Sequence, residues 1–381
     1  MSSGRTHMEV HVSRIRVLVV DDSVVARRIV VQALADDPQI EVVGTAANGR
    51  IALTMVEQLA PDVVTMDMEM PFMDGIETVR AMRRRGERCR IIMFTAVSVR
   101  DATKTFAALA AGANDFVTKP STLMGGAASI PGVAESLIPK IKALVPYPRS
   151  VSTLPNGAAA AGGRSTAVIR LAARPQGPAH PARAVVIGAS MGGSAALLQV
   201  LRSITRLPVP VVLVQHMAPV FTRQLADWLD RVCASTVLES AGGEELEPGH
   251  VYVAPGGHHL ELRATAQGAR TVLQEGPAVN SCRPSVDTLF HSAVRVYRED
   301  LLAVVLTGMG IDGLRGSEAV MAAGGTVLVQ DEASSLVWGM PGAVAKAGFA
   351  HQVLPLEEIG SALVAAVQPA SRGLAASAGG A

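Results

Sequence analysis

The stretch that decides the fold is Ile-Arg-Val-Leu-Val-Val-Asp-Asp, at residues 15–22. The apolar run predicts a buried strand, and the carboxylates of Asp21 and Asp22 follow where that strand ends. A polar side chain after an apolar run recurs downstream at Asp67, Thr95 and Lys119. The carboxyl ends of parallel strands meet at one crevice, so we expect these groups to form one site. There the carboxylates can share a hard divalent cation, the lysine and the hydroxyl can hold an anion, and a carboxylate can accept a phosphoryl group.

The chain is predicted to form two α/β blocks joined by a flexible linker. The first block covers residues 14–145, with predicted strands at 15–20, 41–45, 62–66, 91–94 and 115–117 and predicted helices at 24–35, 50–59, 76–85, 101–111 and 133–144. The second block covers residues 183–368, with predicted strands at 184–188, 209–215, 251–254, 301–307 and 326–329. This alternation predicts two doubly wound parallel-sheet domains. The Gly-, Ala- and Pro-rich segment 146–182 is the predicted linker, and residues 369–381 form a predicted disordered tail.

Composition limits the classes of function that are open to this chain. A formal net charge of +1 over 381 residues gives no reason to expect nucleic acid or an anionic membrane as a partner. The three cysteines, Cys89, Cys233 and Cys282, are widely spaced, which argues against a disulfide framework or a zinc site and fits a reducing cytoplasm. Residues 1–14 lack the apolar core of a signal peptide, and no apolar run is long enough to cross a bilayer. We therefore expect a soluble cytoplasmic protein.

The second block opens with a strand followed by Gly-Ala-Ser-Met-Gly-Gly at residues 188–193. A serine among small residues at a strand–helix turn matches the G-x-S-x-G form of a nucleophile elbow. Two other interpretations remain open for this motif alone. Ser190 could cap the following helix, or the glycine-rich turn could cradle a phosphate.

Two further strand ends strengthen the catalytic interpretation. His216 follows the strand at 209–215, and Asp312 lies in the glycine-rich segment after the strand at 301–307. Parallel strands can bring these side chains to one edge, where Ser190 would attack, His216 would remove its proton and Asp312 would orient the imidazole. An α/β-hydrolase has the order Ser…Asp…His, which Asp331 and His351 could supply. We rank that alternative lower because His351 begins a predicted strand rather than ending one.

Both blocks resemble one known family. The first is similar to a response-regulator receiver domain, through Asp21-Asp22, Asp67, residues 70–75, Thr95 and Lys119-Pro120. The second resembles the catalytic domain of chemotaxis-type protein-glutamate methylesterases, through residues 188–193, 215–217, 283–287 and 307–313. The resemblance implies a flavodoxin-like receiver followed by a Rossmann-like, three-layer esterase domain.

For the receiver, the resemblance implies a phosphorylation switch. A chemotaxis histidine kinase would phosphorylate Asp67, and Lys119 and Thr95 would contact the phosphoryl group. Mg²⁺ would be bound by Asp22, Asp67 and the backbone carbonyl of Glu69, with Asp21 acting through water. The receiver would cover the mouth of the esterase site until phosphorylation loosened or reoriented it.

For the esterase, the resemblance implies a Ser190–His216–Asp312 triad with backbone N–H groups near Met309 or Met191 as the oxyanion hole. The substrate would be a glutamate γ-methyl ester on a methylated chemoreceptor, and related enzymes also deamidate receptor glutamines. The chemistry needs no organic cofactor, no nucleic acid and no direct membrane insertion. Two positions depart from the family pattern: Met191 stands where the family often has threonine, and Cys282 stands where it often has histidine. We predict that Cys282 is a buried side chain that fills space in the core and is not a nucleophile.

Three other outputs are conceivable for a receiver joined to a second α/β block. A non-catalytic signalling scaffold would not need an intact Ser–His–Asp triad. Release of methanol from a methylated receptor would distinguish an active esterase from such a scaffold. A DNA-binding output lacks a basic helix-turn-helix pattern after the linker. The same esterase could also serve a chemosensory pathway other than motility.

Overall fold

The computed structural model describes residues 14–96, 98–119, 130–145 and 181–368, and within them the chain forms two compact units. Nearly all of the predicted linker, the whole predicted tail and Pro120 lie outside the described residues. None of the helices in these ranges is long and apolar enough to cross a membrane.

The first sheet has five strands, all parallel, in the order β2-β1-β3-β4-β5. Its strands are β1 Ile15–Val20, β2 Ile40–Ala46, β3 Val63–Asp67, β4 Arg90–Thr95 and β5 Asp115–Thr118. The helices of this part of the chain are α1 Val24–Ala35, α2 Gly49–Leu59, α3 Gly75–Arg84, α4 Val99–Ala110 and α5 Ile130–Leu144.

The order of this sheet reverses at β1, which pairs with β2 on one side and β3 on the other. The crevice of a doubly wound sheet lies beyond such a switch point. Asp21 follows β1 and Asp67 is the last residue of β3, so both carboxylates lie at this crevice.

The second unit contains a seven-stranded parallel sheet in the order β14-β13-β12-β6-β7-β9-β8. Its strands are β6 Ala184–Ala189, β7 Val211–Gln215, β8 Thr236–Glu239, β9 His250–Val253, β12 Leu301–Val305, β13 Thr326–Gln330 and β14 Gln352–Leu354. Its helices are α6 Gly193–Arg202, α7 Pro219–Val232, α8 Val286–Tyr297, α9 Leu314–Ala322, α10 Met340–Ala347 and α11 Leu356–Val367. The core is built mainly from small and aliphatic side chains, as the low aromatic content predicts.

A separate antiparallel hairpin is formed by β10 His259–Thr265 and β11 Gly268–Gln274. Alternating apolar side chains of the hairpin, such as Leu260 and Leu262, are buried in the core of the second unit. The prediction of two doubly wound parallel sheets is confirmed, but the sequence interpretation identified neither this hairpin nor the short strand β8.

Candidate functional site

The first candidate site is a cluster of carboxylates at the switch point of the five-stranded sheet. Oxygen atoms of Asp21, Asp22 and Asp67 lie within 4.8 Å of one another. Lys119 places its Nζ 2.8 Å from Asp21 Oδ2 and 2.6 Å from Asp67 Oδ1. The structure therefore brings together the acidic and basic residues that the sequence predicted.

Burial controls the electrostatics of this cluster. It raises the pKa of Asp67 to about 6, although the charge of Lys119 and its hydrogen bond act in the opposite direction. Burial also acts to lower the pKa of Lys119, but the charges of Asp67 and Asp21 outweigh it, so that pKa is raised.

Three carboxylate groups around one point fit a hard divalent cation such as Mg²⁺. Glu69, exposed and two residues beyond Asp67, lies on the same loop.

Thr95 and Lys119 are joined through their backbones next to this cluster. Thr95 is the last residue of β4 and is buried, and the Lys119 N–H donates to its carbonyl oxygen at 2.6 Å. β4 pairs with β3 so that Phe94 lies opposite Asp67. Thr95 is therefore one residue beyond Asp67 along the same sheet edge.

The second candidate site begins at the turn between β6 and α6. The Ser190 N–H donates to the carbonyl of Thr307 at 3.1 Å, and Gln215 Nε2 donates to the Ser190 carbonyl at 2.7 Å. The N-cap of α6 is Gly192, with a φ of 76° and no side-chain capping bond. Ser190 therefore does not cap this helix, and the interpretation of its hydroxyl as a helix cap is wrong.

His216 lies beside this turn because β6 and β7 are neighbours in the sheet. Ala189 pairs with Gln215, and the His216 N–H donates to the Ala189 carbonyl at 3.1 Å. On its ring, Nε2 donates to Asp312 Oδ2 at 2.9 Å. The three strand ends predicted to converge thus do so at one edge of the sheet, at the point where its order reverses around β6.

Asp312 is almost fully buried and accepts hydrogen bonds from the start of α8. The backbone N–H groups of Val286 and Asp287 donate to it at 2.6 and 3.2 Å, and the hydroxyl of Ser285, the N-cap of that helix, donates at 2.9 Å. The positive end of a helix dipole therefore faces the carboxylate. Sequence reasoning assigned no such role to Ser285, although it lies in the quoted segment 283–287.

Asn280 is a further residue that sequence reasoning missed. Its Nδ2 donates at 2.8 Å both to Asp312 Oδ1 and to Asp287 Oδ2. Its φ of 52° places it in a left-handed turn, where asparagine is favoured. That local preference is the only sequence signal, and it does not reveal which carboxylates the side chain reaches.

The His216–Asp312 pair shifts the titration of both groups. Burial acts to raise the pKa of Asp312, but the hydrogen bond and the charge of His216, with the donors from Asn280 and Val286, outweigh it and lower that pKa to about 2. Burial acts to lower the pKa of His216, but Asp312 and the neighbouring Cys282 outweigh it and raise that pKa to about 9. These contacts therefore favour the protonated imidazole at neutral pH.

Ser190 and His216 form no hydrogen bond in the part of the chain that the structure describes. Because Nε2 of the ring is bonded to Asp312, Nδ1 is the nitrogen left to accept a proton from the serine. Cys282, which is partly rather than fully buried, places its Sγ 3.5 Å from that nitrogen. Catalytic hydrogen bonds often become short only when substrate is bound.

The two backbone groups predicted for an oxyanion hole belong to residues close to Ser190. Met191 is its neighbour in the chain, and Met309 follows Gly308, at which a Cβ atom would come 2.8 Å from Ser190 Cβ. Within the described residues neither the Met191 N–H nor the Met309 N–H has a hydrogen-bond partner. Backbone N–H groups without a partner are the kind of donor that an oxyanion hole uses.

The alternative pair, Asp331 and His351, is engaged elsewhere. His351 Nδ1 accepts from the Val327 N–H at 3.0 Å, and Asp331 Oδ1 accepts from the Ser334 hydroxyl at 2.6 Å. The two side chains share no hydrogen bond within the described ranges.

Comparisons with known proteins agree for both units. The model of the response regulator receiver domain matches residues 17–125, and the model of the CheB methylesterase matches residues 185–363. A protein-glutamate methylesterase/protein-glutamine glutaminase of Nocardioides sp. is 52% identical over 346 residues, covering 91% of this chain and 93% of that protein. A protein of the same name from Trichodesmium erythraeum is 40% identical over 355 residues, covering 92% and 98%. The solved CheB methylesterase catalytic domain of Thermotoga maritima is 40% identical, with a TM-score of 0.47, and covers 48% of this chain and 98% of that one.

Proposed function

Because the chain belongs to the protein-glutamate methylesterase/protein-glutamine glutaminase family, we propose that Ser190, His216 and Asp312 hydrolyse glutamate γ-methyl esters on a chemoreceptor, under the control of phosphorylation at Asp67. The main support for this proposal is the 2.9 Å hydrogen bond between His216 Nε2 and Asp312 Oδ2, which lies beside Ser190, a serine that does not cap the following helix.

The chemistry follows from the positions of these groups. Ser190 Oγ attacks the ester carbonyl while His216 Nδ1 takes its proton, and Asp312 stabilises the imidazolium that forms. The tetrahedral intermediate collapses, and methanol leaves with the proton that His216 returns. Water then hydrolyses the acyl-enzyme by the same route and releases a glutamate side chain. A glutamine amide passes through an equivalent intermediate, so deamidation needs no additional residue.

The oxyanion that forms on the ester carbonyl would be held by the free N–H groups of Met191 and Met309. Each such donor typically lowers the barrier by about 3 kcal/mol because it is already oriented where charge develops. The exposed side chain of Met309 leaves this position open to a large substrate.

The receiver would act as the control element. Receiver domains in general are phosphorylated in a Mg²⁺-dependent reaction. Asp22, Asp67 and the Glu69 carbonyl would hold the ion, with Asp21 acting through water. The ion would neutralise the carboxylates and the incoming phosphoryl group. Lys119 would bind the phosphoryl oxygens that replace its contact with Asp67, and Thr95 would respond to them from the end of β4.

The partners and the domain limits follow the family. CheB-family enzymes generally act on chemoreceptors and are regulated by a histidine kinase. We assign a chemotaxis histidine kinase as the phosphodonor protein and a methylated receptor as the substrate. The proposed limits are a receiver at residues 14–145, a linker at 146–182, a catalytic domain at 183–368 and a tail at 369–381.

Release of methanol from methylated receptor membranes tests the esterase directly. Wild-type protein should release methanol, and Ser190→Ala should release none above the rate without protein. Ser361→Ala, an exposed serine on α11, is the matched control and should behave as wild type. Release by Ser190→Ala at the wild-type rate would overturn the assignment, and no release by wild type would favour the non-catalytic scaffold.

A further inference from the structure

Cys282 and His216 form a pair whose spacing suits a metal ion. Cys282 Sγ lies 3.5 Å from His216 Nδ1, and together with Asp312 these side chains place their ligand atoms within 4.8 Å of one another. Zinc binds cysteine sulfur at about 2.3 Å and histidine nitrogen at about 2.0 to 2.1 Å. At a tetrahedral angle these bond lengths separate sulfur from nitrogen by about 3.5 to 3.6 Å. This spacing, which is now bridged by a hydrogen bond, therefore matches that of two adjacent ligands of one tetrahedral ion.

The position of Cys282 is fixed by a tight turn. The N–H groups of Val279 and Cys282 each donate to the other residue's carbonyl, at 3.1 and 2.9 Å. The two residues between them, Asn280 and Ser281, have φ values of 52° and 62°. Hydrogen bonds from Asn280 to the buried carboxylates of Asp312 and Asp287 hold the turn against the start of α8 and the loop after β12. The thiol is thus placed next to the imidazole before any ligand arrives.

Asp312 serves this pair as an orienting group rather than as a third ligand. Its oxygens already accept from His216, Asn280, Ser285 and two backbone N–H groups. A carboxylate on the far nitrogen of a metal-binding histidine fixes the ring and increases its basicity. The arrangement leaves Nδ1 and Sγ as the protein ligands and the remaining coordination positions to water.

We propose that Cys282 and His216 bind a thiophilic divalent cation such as Zn²⁺ and that this ion inhibits the esterase. The Cys282 thiol and, where the imidazole is protonated, His216 Nδ1 each lose a proton to solvent as their bonds to the metal form. This leaves thiolate and neutral imidazole, which are ligands that zinc prefers. A metal on Nδ1 occupies the lone pair that would accept the proton of Ser190. The inhibition, unlike the binding, rests on the proposed function. The sequence did not reveal this site, because its second ligand is not a neighbouring cysteine but a histidine 66 residues away.

Binding is tested with Co²⁺ as a spectroscopic substitute for Zn²⁺ on the full chain, with excess Mg²⁺ present to occupy the carboxylates of the receiver. A thiolate ligand gives Co²⁺ a charge-transfer absorption band that oxygen ligands do not give. We expect the band in wild type and in Cys89→Ser/Cys233→Ser, its loss in Cys282→Ser, and its displacement by Zn²⁺. A band that is absent from wild type, or that persists in Cys282→Ser, would overturn the site.

Inhibition is tested by methanol release over the same range of Zn²⁺ concentration. Zn²⁺ should abolish release by wild type and by Cys89→Ser/Cys233→Ser, and a chelator should restore it. Cys282→Ser, measured relative to its own metal-free rate, should need a Zn²⁺ concentration at least about tenfold higher, since a thiolate ligand is lost. Equal sensitivity of wild type and Cys282→Ser would refute inhibition through this pair. A Cys282-dependent cobalt band in a protein that releases no methanol would refute the esterase proposal but support the metal site.

Discussion

His216 Nε2 lies 2.9 Å from Asp312 Oδ2, and four further donors hold the same carboxylate in place. Two of these donors are backbone N–H groups in the first turn of α8, so the orientation of the imidazole depends on the packing of a helix that carries none of the proposed catalytic side chains. In the proposed mechanism this relationship gives the two ring nitrogens different tasks: Nε2 would be the orienting contact, and Nδ1 would be the proton acceptor.

Replacement of the carboxylate tests this assignment. Asp312→Asn keeps the shape of the side chain but removes the charge that stabilises imidazolium, and we expect methanol release to fall by roughly a thousandfold or more. Asp331→Asn, the counterpart in the alternative triad, should keep most of its activity. Thermal unfolding of both variants separates loss of chemistry from loss of the fold, and a fully active, folded Asp312→Asn would contradict the assignment.

The two histidines can be distinguished in the same way. His216→Ala should lose methylesterase activity, because no other base adjoins Ser190 in the described site. His351→Ala should keep it, because within the described residues that ring bonds to the Val327 N–H and not to Ser190 or Asp331. Activity kept in His216→Ala and lost in His351→Ala would instead support the hydrolase-like order of the triad.

The pH dependence follows from the raised pKa of His216. The base is the neutral imidazole, so kcat/KM should increase by about tenfold per pH unit below a pKa of about 9 and level off above it. Spontaneous ester hydrolysis is subtracted with Ser190→Ala at each pH. Cys282→Ala removes one cause of the shift and should move the profile to lower pH. A profile that levels off near pH 6.5 in wild type would disagree with the observed contacts.

The same shift has a consequence for stability. A folded-state pKa above the unfolded value means that protonation of His216 stabilises the fold. That contribution is fully present below a pH of about 6.5 and is lost as the pH rises through about 9. His216→Gln should therefore reduce the pH dependence of the free energy of unfolding in this window, as measured by denaturant titration at several pH values. If the free energy of unfolding of His216→Gln depended on pH as that of wild type does, protonation of His216 would not stabilise the fold.

Gly308 should tolerate no side chain. A Cβ atom there would lie 2.8 Å from Ser190 Cβ and would also collide with Met340 Sδ. Gly308→Ala should lower the free energy of unfolding by about 1 to 3 kcal/mol and reduce methanol release by displacing Ser190. Gly276→Ala is the matched control, since its nearest neighbour would be 3.8 Å away. Wild-type stability and rate in Gly308→Ala would show that this close approach does not position the serine.

The fold was predictable because its strands are short apolar runs that end in polar residues. The observed β1 matches its predicted limits, and β3 and β4 differ from theirs by one residue at each end. The hairpin β10–β11 was not identified because it lacks the continuous apolar runs that mark the parallel strands: its buried leucines alternate with polar residues.

The candidate site was predictable only in part. Ser190, His216 and Asp312 each follow a strand, and that position is visible in the sequence. The contacts of Asn280 and Cys282 depend on how a left-handed turn packs against α8 and β7, and no spacing pattern encodes such packing.

Stimulation of methanol release by a small phosphodonor is the most direct test that Asp67 controls a reaction performed by Ser190. With Mg²⁺ present, the phosphodonor should accelerate release by wild type and by Asp36→Ala, an exposed aspartate, while Ser190→Ala should remain inactive in both conditions. Asp67→Ala should release methanol at the basal rate with no stimulation. Stimulation that survives in Asp67→Ala would show that Asp67 is not the phosphoryl acceptor that controls the esterase.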